Sequence, residues 1–180
     1  ATSVAATNIA VNVPNQVLGG FTTDIKGEPI SVQSMVFTVA TSSVSGSYGL
    51  LTGVTLVDSN GAVVAGPVDL TGAGDTITFT DSVTFPVGVK TYTLKGKVPS
   101  TILSGTVYTL SSTPSSGWTS VTGQTTGNTI TLSNGAFSMN AMTVKTAALA
   151  ISVSTQPSAR SVIAGVQGFE FARYVLDAGQ

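Results

Sequence analysis

Apolar and polar side chains alternate along most of this chain, and no helical period holds for more than one turn. The alternation is clearest between residues 77 and 98, where Ile77 and Phe79 share one parity and Thr76 and Thr78 take the other. Successive side chains of a strand point to opposite faces, so each such segment can bury one face and expose the other. We therefore expect many short, half-buried strands.

Turn signals separate these segments. Asp58-Ser59-Asn60-Gly61 lies between two apolar runs and predicts a hairpin, Gly66-Pro67 is expected to break the returning strand, and Pro86-Val87-Gly88 turns the chain again. Strands spaced by roughly 8–12 residues with such punctuation predict an all-β fold, an immunoglobulin-like antiparallel β-sandwich. The later strands are expected at residues 106–110, 118–121, 129–132 and 137–144.

Two stretches of the chain resemble each other. Residues 10–14 (AVNVP) are followed by residues 17–20 (VLGG), and residues 150–153 (AISV) are followed by Pro157 and residues 162–165 (VIAG). In both places a short strand is followed by a proline turn and then by a strand that ends in small residues. Self-similarity of this kind is typical of tandem repeats.

The repeat divides the chain into residues 1–145, one immunoglobulin-like sandwich repeat, and residues 146–180. The second segment is the start of a next repeat, or a strand exchanged with a neighbour. Its bulky alternating residues need partners for their backbone N–H and C=O groups, either within the chain or on another subunit. We expect strand pairing with a neighbour, through an assembly strand that contains Phe169, Phe171, Tyr174 and Val175.

The composition narrows the function classes. Charged residues are 8% of the chain, against about 25% in a typical soluble domain. The net charge of −1 provides no electrostatic footprint for nucleic acid or anionic lipid. No apolar run approaches the ~20 residues of a membrane helix. The chain has no His and no Cys, so the usual proton shuttle and thiolate nucleophile are missing, and we expect a protein that is not an enzyme.

The order of several motifs carries a resemblance to a known family. Residues 17–20 (VLGG), 28–32 (EPISV), 56–67 (LVDSNGAVVAGP), 85–88 (FPVG) and 90–95 (KTYTLK) follow one another. This order resembles the tandem immunoglobulin-like repeats of large surface-layer and cell-surface proteins of candidate-phyla (Patescibacteria-like) bacteria. The resemblance implies export to the bacterial cell surface and a scaffold or adhesive role, and it brings no catalytic residues.

No bound cofactor is expected, and calcium is the best-founded alternative, because surface-layer assemblies often use it and Ca²⁺ takes several oxygen ligands from carboxylates and carbonyls. Asp58-x-Asn60-Gly61 resembles the opening of a calcium loop, but no further acidic ligands follow, and a hairpin turn is the favoured interpretation. Asp24 and Glu28 are weaker candidates, at the junction with a next repeat. No other cofactor is expected.

Two function hypotheses follow. The first is a structural subunit of an extracellular surface layer or filament, joined end to end with copies of itself or adjacent repeats. The alternative is an adhesin or carbohydrate-binding module. In that module Tyr48, Tyr108 and Trp118 would stack against a sugar ring, although a single Trp in a sandwich more often fills the core.

Overall fold

The computed structural model describes residues 4–42, 50–70 and 76–179. The chain divides into two compact units, Ala1–Lys145 and Thr146–Gln180. The boundary lies at the residue where the sequence analysis divides the chain.

The first unit consists of short strands with a single helical turn, α1 (Pro114–Gly117), among its described residues. Its strands are β1 (Asn8–Ile9), β2 (Gln16–Ile25), β3 (Ile30–Val32), β4 (Ser34–Ser42), β5 (Thr52–Val57), β6 (Val63–Val68), β7 (Thr76–Phe79), β8 (Val83–Phe85), β9 (Gly88–Lys97), β10 (Val107–Ser112), β11 (Trp118–Thr119), β12 (Thr122–Gly123), β13 (Phe137–Ser138) and β14 (Met142–Val144).

These strands form three sheets. The seven-stranded sheet has the order β1-β14-β10-β4-β11, with β13 paired to β10 and β7 paired to β4. The four-stranded sheet has the order β2-β9-β5-β6, and a three-stranded sheet has the order β12-β3-β8. Every pair of these strands is antiparallel except β1 with β14. The predicted all-β sandwich is confirmed.

The predicted alternation decides which side chains enter the core. In β4, Met35 and Phe37 are fully buried, whereas Thr38 is exposed. In β7, Phe79 is buried and Thr78 is exposed. Threonine also lines the solvent side of the strands that follow, because its branched side chain fits a pleated surface and its hydroxyl still meets water.

Aromatic rings join the two larger sheets across the core. The ring of Phe21 in β2 lies 5.8 Å from that of Phe37 in β4 and 5.8 Å from that of Trp118 in β11. Phe85 stacks on Trp118 at 5.5 Å and meets Tyr92 edge-on at 4.9 Å. Such pairs add about 0.5–1.5 kcal/mol each beyond the area they bury. The cluster fixes the separation of the sheets at this end of the sandwich.

The predicted hairpin is formed by β5 and β6. One carboxylate oxygen of Asp58 accepts hydrogen bonds from the backbone N–H groups of Asn60 and Ala62, both at 2.9 Å. The expected break at Gly66-Pro67 is wrong, because both residues lie inside β6. Gly66 has φ +91°, and a Cβ there would approach the Val54 carbonyl oxygen to 2.5 Å, so the strand continues only with glycine at this position.

The later strands differ from expectation. Residues 129–132 form no strand and contribute only an isolated bridge between Thr122 and Thr129. The expected strand over residues 137–144 is split into β13 and β14. The buried residues Met139 and Met142 differ in parity, so the alternation breaks between β13 and β14, and Ile130 and Leu132 alternate with threonine but are only half-buried.

The second unit is a hairpin of β15 (Ala148–Val153) and β16 (Tyr174–Gly179). Its strands pair antiparallel, with Val153 opposite Tyr174 and Ile151 opposite Leu176. Residues 162–165 lie outside any strand, whereas the matching residues 17–20 lie in β2. The two similar stretches thus differ in local structure, and the tandem repeat stays a prediction.

Ser112→Ala tests the polar contact at the centre of the core. Ser112 Oγ accepts a hydrogen bond from Trp118 Nε1 at 2.9 Å and donates one to the Val36 carbonyl at 2.6 Å. The substitution leaves a buried indole N–H unpaired, which costs about 1–3 kcal/mol. We expect a loss of that size in the free energy of unfolding, measured by urea titration of Trp118 fluorescence.

Ser111→Ala is the matched control, because Ser111 faces the opposite side of β10. It should change the free energy of unfolding by less than about 0.5 kcal/mol. Equal stability of the two variants would contradict the role assigned to Ser112.

Candidate functional site

The hairpin of the second unit carries an uncovered apolar face. Residues directly opposite in paired strands lie on the same face, so Ile151, Val153, Tyr174 and Leu176 share one side of the hairpin. Their exposed fractions are 63%, 67%, 67% and 66%. A contiguous exposed apolar patch is typical of a surface that contacts another protein. We call these four residues the hairpin face.

The backbone groups on the outer edges of this hairpin also have no strand partner within the described part of the chain. Among residues 4–42, 50–70 and 76–179, β15 pairs only with β16, and β16 only with β15. The outer edge of each strand therefore presents backbone N–H and C=O groups without a strand partner. An isolated two-stranded hairpin is marginally stable in water, so further strands or a covering sheet would stabilise it.

The predicted assembly strand is partly wrong. Tyr174 and Val175 lie in β16, but Phe169 and Phe171 precede it and belong to no strand. The ring of Phe169 meets that of Phe171 edge-on at 5.1 Å, and the Arg160 guanidinium lies 4.6 Å from the Phe169 ring centre. The two phenylalanines thus contact each other and the loop residue Arg160, outside the paired strands.

The strand that was expected to pair with a neighbouring subunit pairs within this chain on one of its edges. The strand at Tyr174 finds its first partner in β15 of the same chain, so one of its two edges needs no neighbour. Ile151 and Val153 were not predicted to belong to the assembly surface. The alternation in residues 149–153 was the signal for them, because it places both on the apolar side of a strand.

The structure does not support the predicted aromatic platform for a glycan. Tyr108 is completely buried, and burial raises the pKa of its hydroxyl to about 12. Trp118 is 9% exposed, with Phe85 stacked on it. A stacking platform needs an open ring face, so neither ring can form one. Tyr48 lies outside the described residues.

The three calcium candidates have other partners. Asp58 closes the β5–β6 turn, and Asp24 forms an exposed ion pair with Lys26, with 3.5 Å between Lys26 Nζ and an Asp24 carboxylate oxygen. Glu28 binds backbone and hydroxyl groups of another loop. In the part of the chain that the structure describes, no three His, Cys, Asp or Glu side chains are grouped so as to hold a metal ion.

Glu28 connects two loops that are far apart in sequence. Its Oε2 accepts hydrogen bonds from the backbone N–H groups of Thr125 and Thr126 at 2.8 and 2.9 Å, and its Oε1 accepts one from the Thr126 hydroxyl at 2.8 Å. These bonds, the Thr126 N–H first, lower the pKa of the Glu28 carboxyl. A Cβ on Gly123 would collide with this carboxylate, so a larger residue there would require the Glu28 side chain to move. No local pattern indicates a contact across 97 residues.

Comparisons with known proteins identify no relative. No protein-family model, curated protein or solved structure matches this chain. Among the described residues, no helix has the length and hydrophobicity needed to cross a bilayer. Function must therefore be argued from the surfaces described above.

Glu28→Gln tests the loop contact through its pH dependence. A carboxyl with a lowered folded-state pKa stabilises the fold above the unfolded pKa, and the stabilisation is lost as pH falls through the folded pKa. We expect the variant to unfold at lower urea concentration than wild type at pH 7. The gap should close as the pH falls below the folded pKa of Glu28.

Asp24→Asn is the matched control, because its carboxylate contacts only an exposed lysine among the described residues. Exposed pairs of this kind contribute little to stability. A gap between Glu28→Gln and wild type that stayed constant with pH would show that the carboxylate charge is not the cause.

Proposed function

We propose that this chain is a structural subunit of an extracellular bacterial surface assembly, a surface layer or filament, joined end to end through β-strand pairing. Its partners are copies of itself or adjacent repeats, and the first unit is an immunoglobulin-like repeat of a cell-surface protein. One observation carries the proposal: the hairpin face and the open strand edges beside it have no cover in the described chain.

Burial of the hairpin face supplies the driving force. Fully burying one large apolar side chain is worth about 1.5–3 kcal/mol, and four such side chains lie side by side. Association costs on the order of 4–15 kcal/mol, so this face alone is close to balance. Strand pairing satisfies the edge N–H and C=O groups at the same time. The contact is then weak, so assembly is expected to depend on a high concentration of the chain.

The charge composition favours close approach. With 8% charged residues and a net charge of −1, copies of the chain repel one another weakly. The second unit carries Arg160, Glu170, Arg173 and Asp177 as its only charged residues, two of each sign. Glu170 and Arg173 pair with each other. Like-charge repulsion therefore does not oppose packing of the hairpin face on another sheet.

The proposal assigns no turnover to the chain. A sequence without His and Cys lacks the groups that most often carry acid–base and thiolate chemistry. Most carboxylates at the described turns have structural partners. The adhesin alternative retains only Tyr48 of its three platform residues, because Tyr108 and Trp118 are in the core. We therefore favour assembly over glycan binding.

The double substitution Ile151→Asp with Leu176→Asp tests this proposal. It places two carboxylates at opposed positions of the hairpin face, where burial would require their desolvation. We expect wild-type chains to associate with rising concentration in sedimentation velocity and to form ordered polymers by electron microscopy. The variant should stay monomeric at the same concentrations.

Ile163→Asp is the control, because Ile163 is exposed but lies in a loop outside the hairpin. It should assemble like wild type. A wild-type chain that stays monomeric at every concentration, or a double variant that assembles normally, would overturn the proposed function.

A further inference from the structure

An apolar groove opens on one side of the first unit. It has a volume of about 280 Å³ and lies between the C-terminal half of β2 and the segment 132–137. Its apolar lining is Phe21, Ile25, Ile30, Trp118, Leu132 and Phe137. We call it the β2 groove. The β2 groove was not predicted, because its walls come from segments of the chain that are distant in sequence.

The strand beside this groove has an open edge. β2 is the last strand of the four-stranded sheet and pairs only with β9 among the described residues. Near its start both faces of the strand are covered, since Met139 lies against Gly19 and Val4 lies against Gly20. From Phe21 to Ile25 the groove replaces that cover. A strand that is added to this edge can therefore pair with the backbone groups of β2 and also cover the apolar residues of the β2 groove.

The chemistry of the groove selects an uncharged strand. Asp24 is the only charged residue that lines it, and its carboxylate is exposed at the rim and paired with Lys26. A charged side chain entering the groove would lose its hydration without gaining a partner. β15 (ALAISV) contains no charged residue, whereas β16 contains Asp177. β15 is therefore the strand that matches this groove.

The length of β15 also matches the length of the open part of β2. Residues 21–25 of β2 span roughly 13 Å at about 3.3 Å per residue, and the six residues of β15 cover that span. Ile151 and Val153 point to the same side of β15, so both can face the groove while the backbone pairs with β2. The rest of the hairpin face then lies towards Leu132 and Phe137.

We propose that β15 of a second copy of this chain adds to the open edge of β2 and places Ile151 and Val153 over the β2 groove. This inference rests on the proposed function and names its acceptor surface. The donor hairpin and the acceptor groove are different surfaces, so the contact is heterologous and continues into an open polymer. A twelve-residue hairpin is about half of the 20–30 residues per side of a standard interface, so single contacts are weak.

A mixing experiment separates the donor from the acceptor. The donor-defective chain carries Ile151→Asp and Leu176→Asp. The acceptor-defective chain carries Ile25→Lys and Leu132→Lys, two half-buried positions that line the groove. We expect each variant alone to be monomeric. An equal mixture should form a one-to-one dimer that grows no further, because only one intact donor and one intact acceptor remain.

Control variants and a folding readout make the result specific. Leu103→Lys places the same charge at an exposed leucine outside the groove, and it should polymerise like wild type. The fluorescence of Trp118, the single tryptophan, reports whether each variant keeps its core. Hydrogen exchange on the wild-type chain is a second, variant-free measurement, in which the amides of residues 21–25 should exchange more slowly in the polymer than in the monomer.

The outcomes distinguish the two proposals. If wild type assembles but the acceptor-defective chain assembles equally well, or if exchange slows only in the hairpin, the acceptor assignment is wrong and the proposed function stands. Failure of the two variants to form a dimer when mixed, with both folded, overturns the acceptor assignment as well. If wild type does not assemble at all, the proposed function itself fails.

Discussion

Contact between aromatic rings of the two larger sheets is the interaction on which the first unit depends. Phe21 of the four-stranded sheet reaches Phe37 and Trp118 of the seven-stranded sheet, and Phe85 covers Trp118 from the three-stranded sheet. These bulky rings keep the sheets apart at one end of the sandwich. Because the sheets cannot close there, the β2 groove remains beside the cluster. The same side chains thus stabilise the core and shape the surface assigned to a partner.

Among the described residues, the first unit has an unpaired strand edge, and the second unit has no core. The first unit has a large buried core and one strand edge that borders an apolar groove. The second unit has a strand pair with an apolar face and no core of its own among the described residues. In the proposed assembly the second unit is the donor and the first unit is the acceptor of strand addition.

The sequence predicts what depends on local pattern. Period-two alternation correctly placed Ile77 and Phe79 on one face, which is buried, and the turn chemistry of Asp58 predicted the β5–β6 hairpin. A continuous strand over residues 137–144 and a strand at 129–132 were wrong. Met139 and Met142 are both buried although they differ in parity, and the alternating residues 129–132 make only an isolated bridge.

The site was less predictable than the fold, for a physical reason. Whether Trp118 is a platform or a core residue depends on Phe85 and Ser112, which reach it through tertiary packing. The Glu28 contact with Thr125 and Thr126 and the walls of the β2 groove likewise join distant segments. Alternation in β15 and β16 was readable from sequence, but the register that gathers Ile151, Val153, Tyr174 and Leu176 onto one face needed the structure.

The threonines on the solvent side of the strands have a consequence for the environment that this protein can tolerate. Hydroxyl groups such as those of Thr78 and Thr84 do not ionise in water and attract no counterions. A surface made largely of such groups is hydrated through dipoles and not through charges. A lower pH or a higher salt concentration therefore changes its hydration little. In the proposed location outside a cell, where pH and salt concentration both vary, a surface of neutral hydroxyls would stay nearly unchanged.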